Sequence, residues 1–248
     1  MTFNRRTLIQ GALAAPLLFG SVSAAAKQPF SGKGDWTQWF HNWLLNDFGM
    51  IGYYADDNAK LLASRAPVDV VFLGDSITEG WFDKHPSYFV NGRIDRGIGG
   101  QTTPQMVLRM MSDVVDLKPK AVHIMAGTND IAGNTGPMTA KMTEDNFRVM
   151  SDIARANRIK VLIASIPPAG AFPWRPGLEV KQPIANLNRW LKSYARSSGA
   201  TWVDYWPVLD DGTGAMKPGL AVDGVHPTVA GYEAMESVIT PILQRVLA

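Results

Sequence analysis

Five short apolar runs, each followed by a polar or glycine-rich turn, constrain this chain more than any other feature. The first, Val68-Asp69-Val70-Val71-Phe72-Leu73, ends in Gly74-Asp75-Ser76. The second lies near Val90 to Arg96 and ends in Gly97-Ile98-Gly99-Gly100. The third, Ala121 to Ala126, ends in Gly127-Thr128-Asn129-Asp130, and Lys160 to Ser165 and Thr201 to Tyr205 complete the set. Helix-length stretches separate them. Thr103 as N-cap with Pro104 in the first turn predicts a helix to about Asp116. Further helices are expected over about Thr143 to Asn157, Pro183 to Ser198 and Thr228 to Val246. Such alternation predicts right-handed βαβ units and a five-stranded, mostly parallel sheet covered on both faces, a three-layer α/β/α sandwich.

Ahead of the first strand, Asp35 to about Ala63 reads as helical, with Trp36, Trp39, Phe40 and Trp43 at helical spacing. That aromatic stripe suits either packing on the domain or the lining of a ligand groove. Residues 27–66 are therefore expected to be a linker and N-terminal helical segment, and 67–248 one catalytic-sized domain without internal repeats.

Residues 1–26 have the layout of an export signal. Arg5-Arg6 precede an alanine-rich apolar stretch to about Val22, and Ser23-Ala24-Ala25-Ala26 follow. Paired arginines there resemble a twin-arginine leader, which makes the twin-arginine export machinery the expected partner and a bacterial periplasmic or secreted location the expected destination. The apolar run is short for a membrane span, so no stable anchor is expected after cleavage. Of 24 basic residues, Arg5 and Arg6 lie in this leader, leaving 22 against 22 acidic ones. A neutral body carries no electrostatic footprint for nucleic acid. The absence of cysteine excludes disulfides, a thiol nucleophile and cysteine-based zinc sites.

In open parallel sheets, ligands bind beyond the carboxyl ends of the strands. Ser76, Gly100, Asn129 and the Asp223-Gly224-Val225-His226 loop all follow strands, so four distant segments should meet on one rim. A serine hydroxyl needs a neighbouring base to become nucleophilic. Of His41, His85, His123 and His226, only His226 has a placed acidic neighbour, Asp223 three residues earlier. His123 sits mid-strand, and His41 and His85 show no placed carboxylate in the sequence. Asp223 could hold one imidazole nitrogen protonated, leaving the other to accept from Ser76. Pro227 and Thr228 would stiffen that turn and cap the last helix, although the spacing alone also fits a polar helix-entry turn. The backbone N–H groups of Ser76 and Gly100 and the side-chain amide of Asn129 are candidate oxyanion-hole donors, while Thr-Asn-Asp equally suits an ordinary turn.

Taken together, Gly74-Asp75-Ser76-Ile77-Thr78, Gly97-Ile98-Gly99-Gly100-Gln101-Thr102-Thr103, Gly127-Thr128-Asn129-Asp130 and Asp223-Gly224-Val225-His226-Pro227 resemble the four ordered blocks of the GDSL, or SGNH, hydrolases. The second block departs from the pattern, with Asp95-Arg96 where many members have asparagine. The resemblance implies a flavodoxin-like fold, catalytic Ser76, Asp223 and His226, an oxyanion hole of Ser76, Gly100 and Asn129, and no metal or organic cofactor. Ile98 to Met110, Ile166-Pro167-Pro168 and Phe172-Pro173-Trp174-Arg175 are similar to the branch akin to platelet-activating-factor acetylhydrolase subunits. Members mostly cleave short acyl groups, often acetyl, from sugars, lipids or aryl alcohols. On that reading Phe172 and Trp174 wall the substrate pocket; an aromatic loop packed over the last helices is the alternative.

Other classes fit less well. An α/β-hydrolase elbow needs glycine where Thr78 stands. The glycine cluster follows the second strand, not the first, against a dinucleotide fold. A thioesterase or lysophospholipase would use the same triad with a different pocket. A non-catalytic periplasmic carbohydrate-binding protein on the same fold would tolerate loss of Ser76 or His226, yet both are present.

Overall fold

The computed structural model describes residues 35–248; the predicted leader and most of the linker lie outside them. Instead of one helix over Asp35 to Ala63, the chain forms α1 (Trp36–Asn46) and α2 (Ala55–Ser64). Asn46-Asp47-Phe48-Gly49 supplies turn-forming residues between them, and Asp47 Oδ2 accepts the Gly52 N–H at 2.7 Å. The expected alternation follows: β1 (Val70–Gly74), α3 (Ser76–Lys84), β2 (Arg93–Gly97), α4 (Thr103–Leu108), β3 (Ala121–Met125), α5 (Thr128–Ala132), α6 (Ala140–Ala156), β4 (Lys160–Ala164), α7 (Lys181–Ser198), β5 (Thr201–Val203), α8 (Trp206–Leu209) and α9 (Val229–Leu247). The helix predicted to run to Asp116 loses α-geometry after Leu108 and continues as a π-turn over Met111–Val115. Its N-cap is Thr102, whose backbone N–H donates to Gln105 Oε1 at 3.0 Å, with Pro104 in the first turn.

All strands pair parallel, in the order β2-β1-β3-β4-β5. β1 and β3 are buried along their whole length, which explains why they are apolar apart from His123. α4, α6 and α7 pack together on one face, and α3, α8 and α9 form the other layer. The main core lies between these layers and the sheet. A second cluster joins Phe40, Trp43, Met50, Tyr53 and Tyr54 of the N-terminal segment to Ile98, which belongs to the glycine loop after β2. The chain steps from β1 outward to β2, then back across to β3. The crevice between β1 and β3 is therefore the topological switch point, where α/β sheets bind their ligands.

Candidate active site

Ser76 is the first residue of α3 and stands at that crevice. Asp75 caps the helix, accepting the Ile77 N–H at 2.9 Å. Its carboxyl is buried, which pushes its pKa up to about 6. First-turn N–H groups have no partner within a helix. The Ser76 N–H donates to no acceptor among the described residues and is free to serve a ligand.

His226 reaches Ser76 from the other end of the chain, with Nε2 at 2.9 Å from Ser76 Oγ. Its Nδ1 lies 2.8 Å from Asp223 Oδ2. A carboxylate only accepts, so it selects the tautomer with hydrogen on Nδ1 and leaves Nε2 to accept from the serine hydroxyl. Asp223 Oδ1 also takes the backbone N–H groups of Val225 and His226, at 3.0 and 2.8 Å. Partial burial alone would raise the Asp223 carboxyl, but the bonds from His226 and Val225 outweigh it and hold the group below its ordinary value. The turn is pinned at its base by Val222 N–H to His226 O at 2.8 Å and Thr228 N–H to Leu220 O at 2.9 Å. α9 lies so close that a Cβ on Gly231 would fall 2.2 Å from Leu220 O.

Gly100 and Asn129 face the same space. Gly100 has φ +79°, and a Cβ there would sit 2.8 Å from Trp36 Cζ2 and 2.9 Å from Phe40 Cε2. Only glycine fits, on both counts. Its N–H, like that of Ser76, meets no acceptor among the described residues. Asn129 donates one amide hydrogen to Gln101 O at 3.0 Å, and its Oδ1 accepts from Asn134 Nδ2 at 2.9 Å. Those bonds fix which way the amide points and leave its second hydrogen available. Ser76, Gly99, Gly100, Asn129, Asn134, Trp36, Trp174 and His226 line one cleft of about 210 Å³.

The two pocket candidates divide. Trp174 lines the cleft, its ring 6.0 Å from that of His226 and its Nε1 donating to Asn134 Oδ1 at 3.3 Å. Phe172 does not line it. It is buried behind Trp174 and stacked on it, centroids 5.0 Å apart and planes within 4°. The apolar phenyl ring finds more cover under the indole than at the rim. The N-terminal stripe also divides: Phe40 and Trp43 are buried, while Trp36 lines the cleft.

Several participants carried no local signal. Asn134 joins Trp174, Asn129 and Gly100, donating to Gly100 O at 3.2 Å. Glu79 accepts the Gly99 N–H at 2.8 Å. Arg109, wholly buried, donates to Gly74 O, Arg96 O, Gln101 Oε1 and Asp113 Oδ2, joining the ends of β1 and β2 to the glycine loop. A lone arginine between Val107-Leu108 and Met110-Met111 was its only trace in the sequence. Among the other histidines, His123 is a packed sheet residue bonded to the Tyr205 hydroxyl at 3.0 Å, and burial lowers its pKa to about 3. His85, expected to lack a carboxylate partner, has Glu236 Oε1 2.7 Å from its Nδ1, because α9 folds back beside α3.

A family model for GDSL-like lipases and acylhydrolases matches residues 72–234. A GDSL-like lipase of Bacteroides thetaiotaomicron shares the fold at a TM-score of 0.76 and 41% identity, over 80% of this chain and 99% of that one. A Bacillus subtilis lipoprotein is 39% identical, over 42% of this chain and 50% of its own. A GDSL lipase of Mycobacterium tuberculosis is 30% identical, over 43% of each. The chain thus spans about half the length of the curated relatives it matches. The matched segment contains all four motif blocks, from Ser76 to His226, and most of the sheet that carries them: this chain belongs to the GDSL-like lipase/acylhydrolase family.

Proposed function

We propose that the chain is a serine carboxylic-ester hydrolase that removes short acyl groups, acetyl above all, from neutral alcohols such as carbohydrates. Ser76 Oγ attacks the ester carbonyl while His226 Nε2 takes its proton and Asp223 steadies the imidazolium. The N–H groups of Ser76 and Gly100 and the Asn129 amide receive the oxyanion. His226 then returns the proton to the alkoxide as it leaves, giving the alcohol and an acyl-serine. Water, deprotonated by His226, attacks that ester; collapse releases the acid and restores the serine hydroxyl.

The observation that carries this reading is the continuous bonded path Ser76 Oγ, His226 Nε2, His226 Nδ1, Asp223 Oδ2, with steps of 2.9 and 2.8 Å across the imidazole. A cleft of about 210 Å³ is smaller than the sites that enclose drug-sized ligands, which favours a short acyl group. Two neutral amides and two indoles, with no lysine or arginine, line it, which suits an uncharged sugar better than an anionic headgroup. Export to the periplasm or beyond rests on the leader-like residues 1–26. Among the described residues no helix is long and apolar enough to cross a membrane.

The test is hydrolysis of an aryl acetate by purified protein and by Ser76→Ala. Loss of turnover in the variant is expected; equal rates would end the mechanism.

A further inference from the structure

We propose that Trp36, contributed by α1 outside the family-matched residues 72–234, is the wall that limits acyl length, and that Trp174 bounds the alcohol instead. The inference rests on the ester-hydrolase reading above. A tetrahedral intermediate at Ser76 has four substituents, and the cleft assigns a direction to three. Oγ comes from Ser76. The oxyanion points to the N–H groups of Ser76 and Gly100 and to Asn129. The leaving oxygen must lie by His226, since Nε2 protonates it. Trp174 stands on that side, its ring 6.0 Å from the imidazole, so the alcohol meets Trp174.

Of the residues lining the cleft, Asn134 is committed to Trp174, Asn129 and Gly100. Trp36 and Gly99 remain for the fourth substituent, the acyl chain. Gly99 offers no side chain. Among the described residues that line the cleft, Trp36 is thus the one bulky group left for that side.

Trp36 is built to stay there. One indole face stacks on Phe40, centroids 4.9 Å apart and planes within 9°. Phe40 is buried in the N-terminal aromatic cluster with Trp43, Tyr53 and Ile98. Its six-membered ring lies against Gly100, leaving no room even for a methyl group between them. A stacked aromatic with one face covered and one edge blocked cannot swing aside without breaking that packing.

The experiment compares kcat/KM for p-nitrophenyl acetate, butyrate, hexanoate and octanoate, esters of one alcohol, in wild type, Trp36→Ala, Trp36→Phe and Trp174→Ala. Removing the wall should raise the hexanoate-to-acetate ratio at least about tenfold in Trp36→Ala, since each accommodated methylene is worth roughly that or more. Trp36→Phe should fall between, and Trp174→Ala should leave the ratio within about twofold. An unchanged ratio in Trp36→Ala overturns the proposal, as does an equal shift in Trp174→Ala. Because the readout is a ratio within one variant, general loss of active protein cancels. Ser76→Ala reports on the underlying mechanism separately: turnover surviving there sinks the triad, whatever the chain-length profile does. A wild type inert toward every ester overturns both.

Discussion

Glu79 holds the Gly99 N–H at 2.8 Å through one carboxylate oxygen, while the other accepts the Tyr53 hydroxyl at 2.5 Å. The residue next to Gly99 carries the Gly100 donor. A helix of the family core and the N-terminal segment therefore hold one glycine loop between them.

Glu79→Ala should lower kcat about tenfold or more while changing KM less, because a displaced donor weakens the transition state more than the bound ester. Glu79→Gln, which keeps one accepting oxygen, should recover part of the loss. Steady-state kinetics with a soluble acetyl ester reads the split; a loss confined to KM would remove Glu79 from this role.

Asp223→Asn keeps the shape of the turn but can no longer favour hydrogen on His226 Nδ1 unambiguously, nor balance the imidazolium. We expect kcat to drop roughly 1,000- to 10,000-fold with the fold intact. Circular dichroism beside the kinetics checks both halves. In wild type the Asp223 carboxyl is held below its ordinary value, so Asp223 remains ionised well into acid and should not itself create a limb in the pH-rate profile near neutrality.

Asp95 contributes the opposite pH dependence. Burial raises its carboxyl from 3.8 to about 7, although the Gly97 N–H and Tyr54 hydroxyl bond to it. A folded pKa above the unfolded one means that the native state binds the extra proton. Its contribution to stability is full below about pH 4 and is lost as pH rises toward 7. Asp95→Asn, which cannot ionise, should therefore gain melting temperature over wild type at pH 8 relative to pH 5. A difference independent of pH would show that Asp95 is not protonated in the native state.

Arg109 and Asp113 form a wholly buried pair 3.1 Å apart. Arg109→Met strands the carboxylate, leaving it Asn58 and Ser112 among the described residues, and takes one donor each from the carbonyls of Gly74, which keeps the Ile98 N–H, and Arg96. A cost of about 3–5 kcal/mol is expected in urea unfolding, shown by a lower midpoint at similar slope. Adding Asp113→Leu should return part of it. Activity should suffer too, since Gln101 and the glycine loop lose their tie.

What the sequence disclosed was set by distance along the chain. Ser76, Gly100, Asn129 and His226 each stand in a short block immediately after a strand or before a helix, where chemistry and turn propensity coincide. The sheet was legible because β1 and β3 are apolar but for His123, as burial on both faces favours. Glu79, Asn134 and Arg109 act through contacts made between segments, and their own neighbours in sequence look ordinary. The split of the first helix was written in Asn46-Asp47-Phe48-Gly49, but the aromatic spacing from Trp36 to Trp43 outweighed it. Phe172 and Trp174 could not be ranked, because two aromatics two residues apart give no sign of which covers the other.

In the proposed mechanism Asp223 and His226 sit three residues apart on one pinned turn, so their mutual distance is a local property, maintained by the same few bonds that close the turn. Within the triad, tertiary structure then has one long-range length to keep, from imidazole to hydroxyl. Drift in the relative seating of α3 and α9 would therefore switch the proposed chemistry off while leaving the Asp223–His226 hydrogen bond intact. Such an idle form would keep that bond yet fail to label with serine-directed reagents.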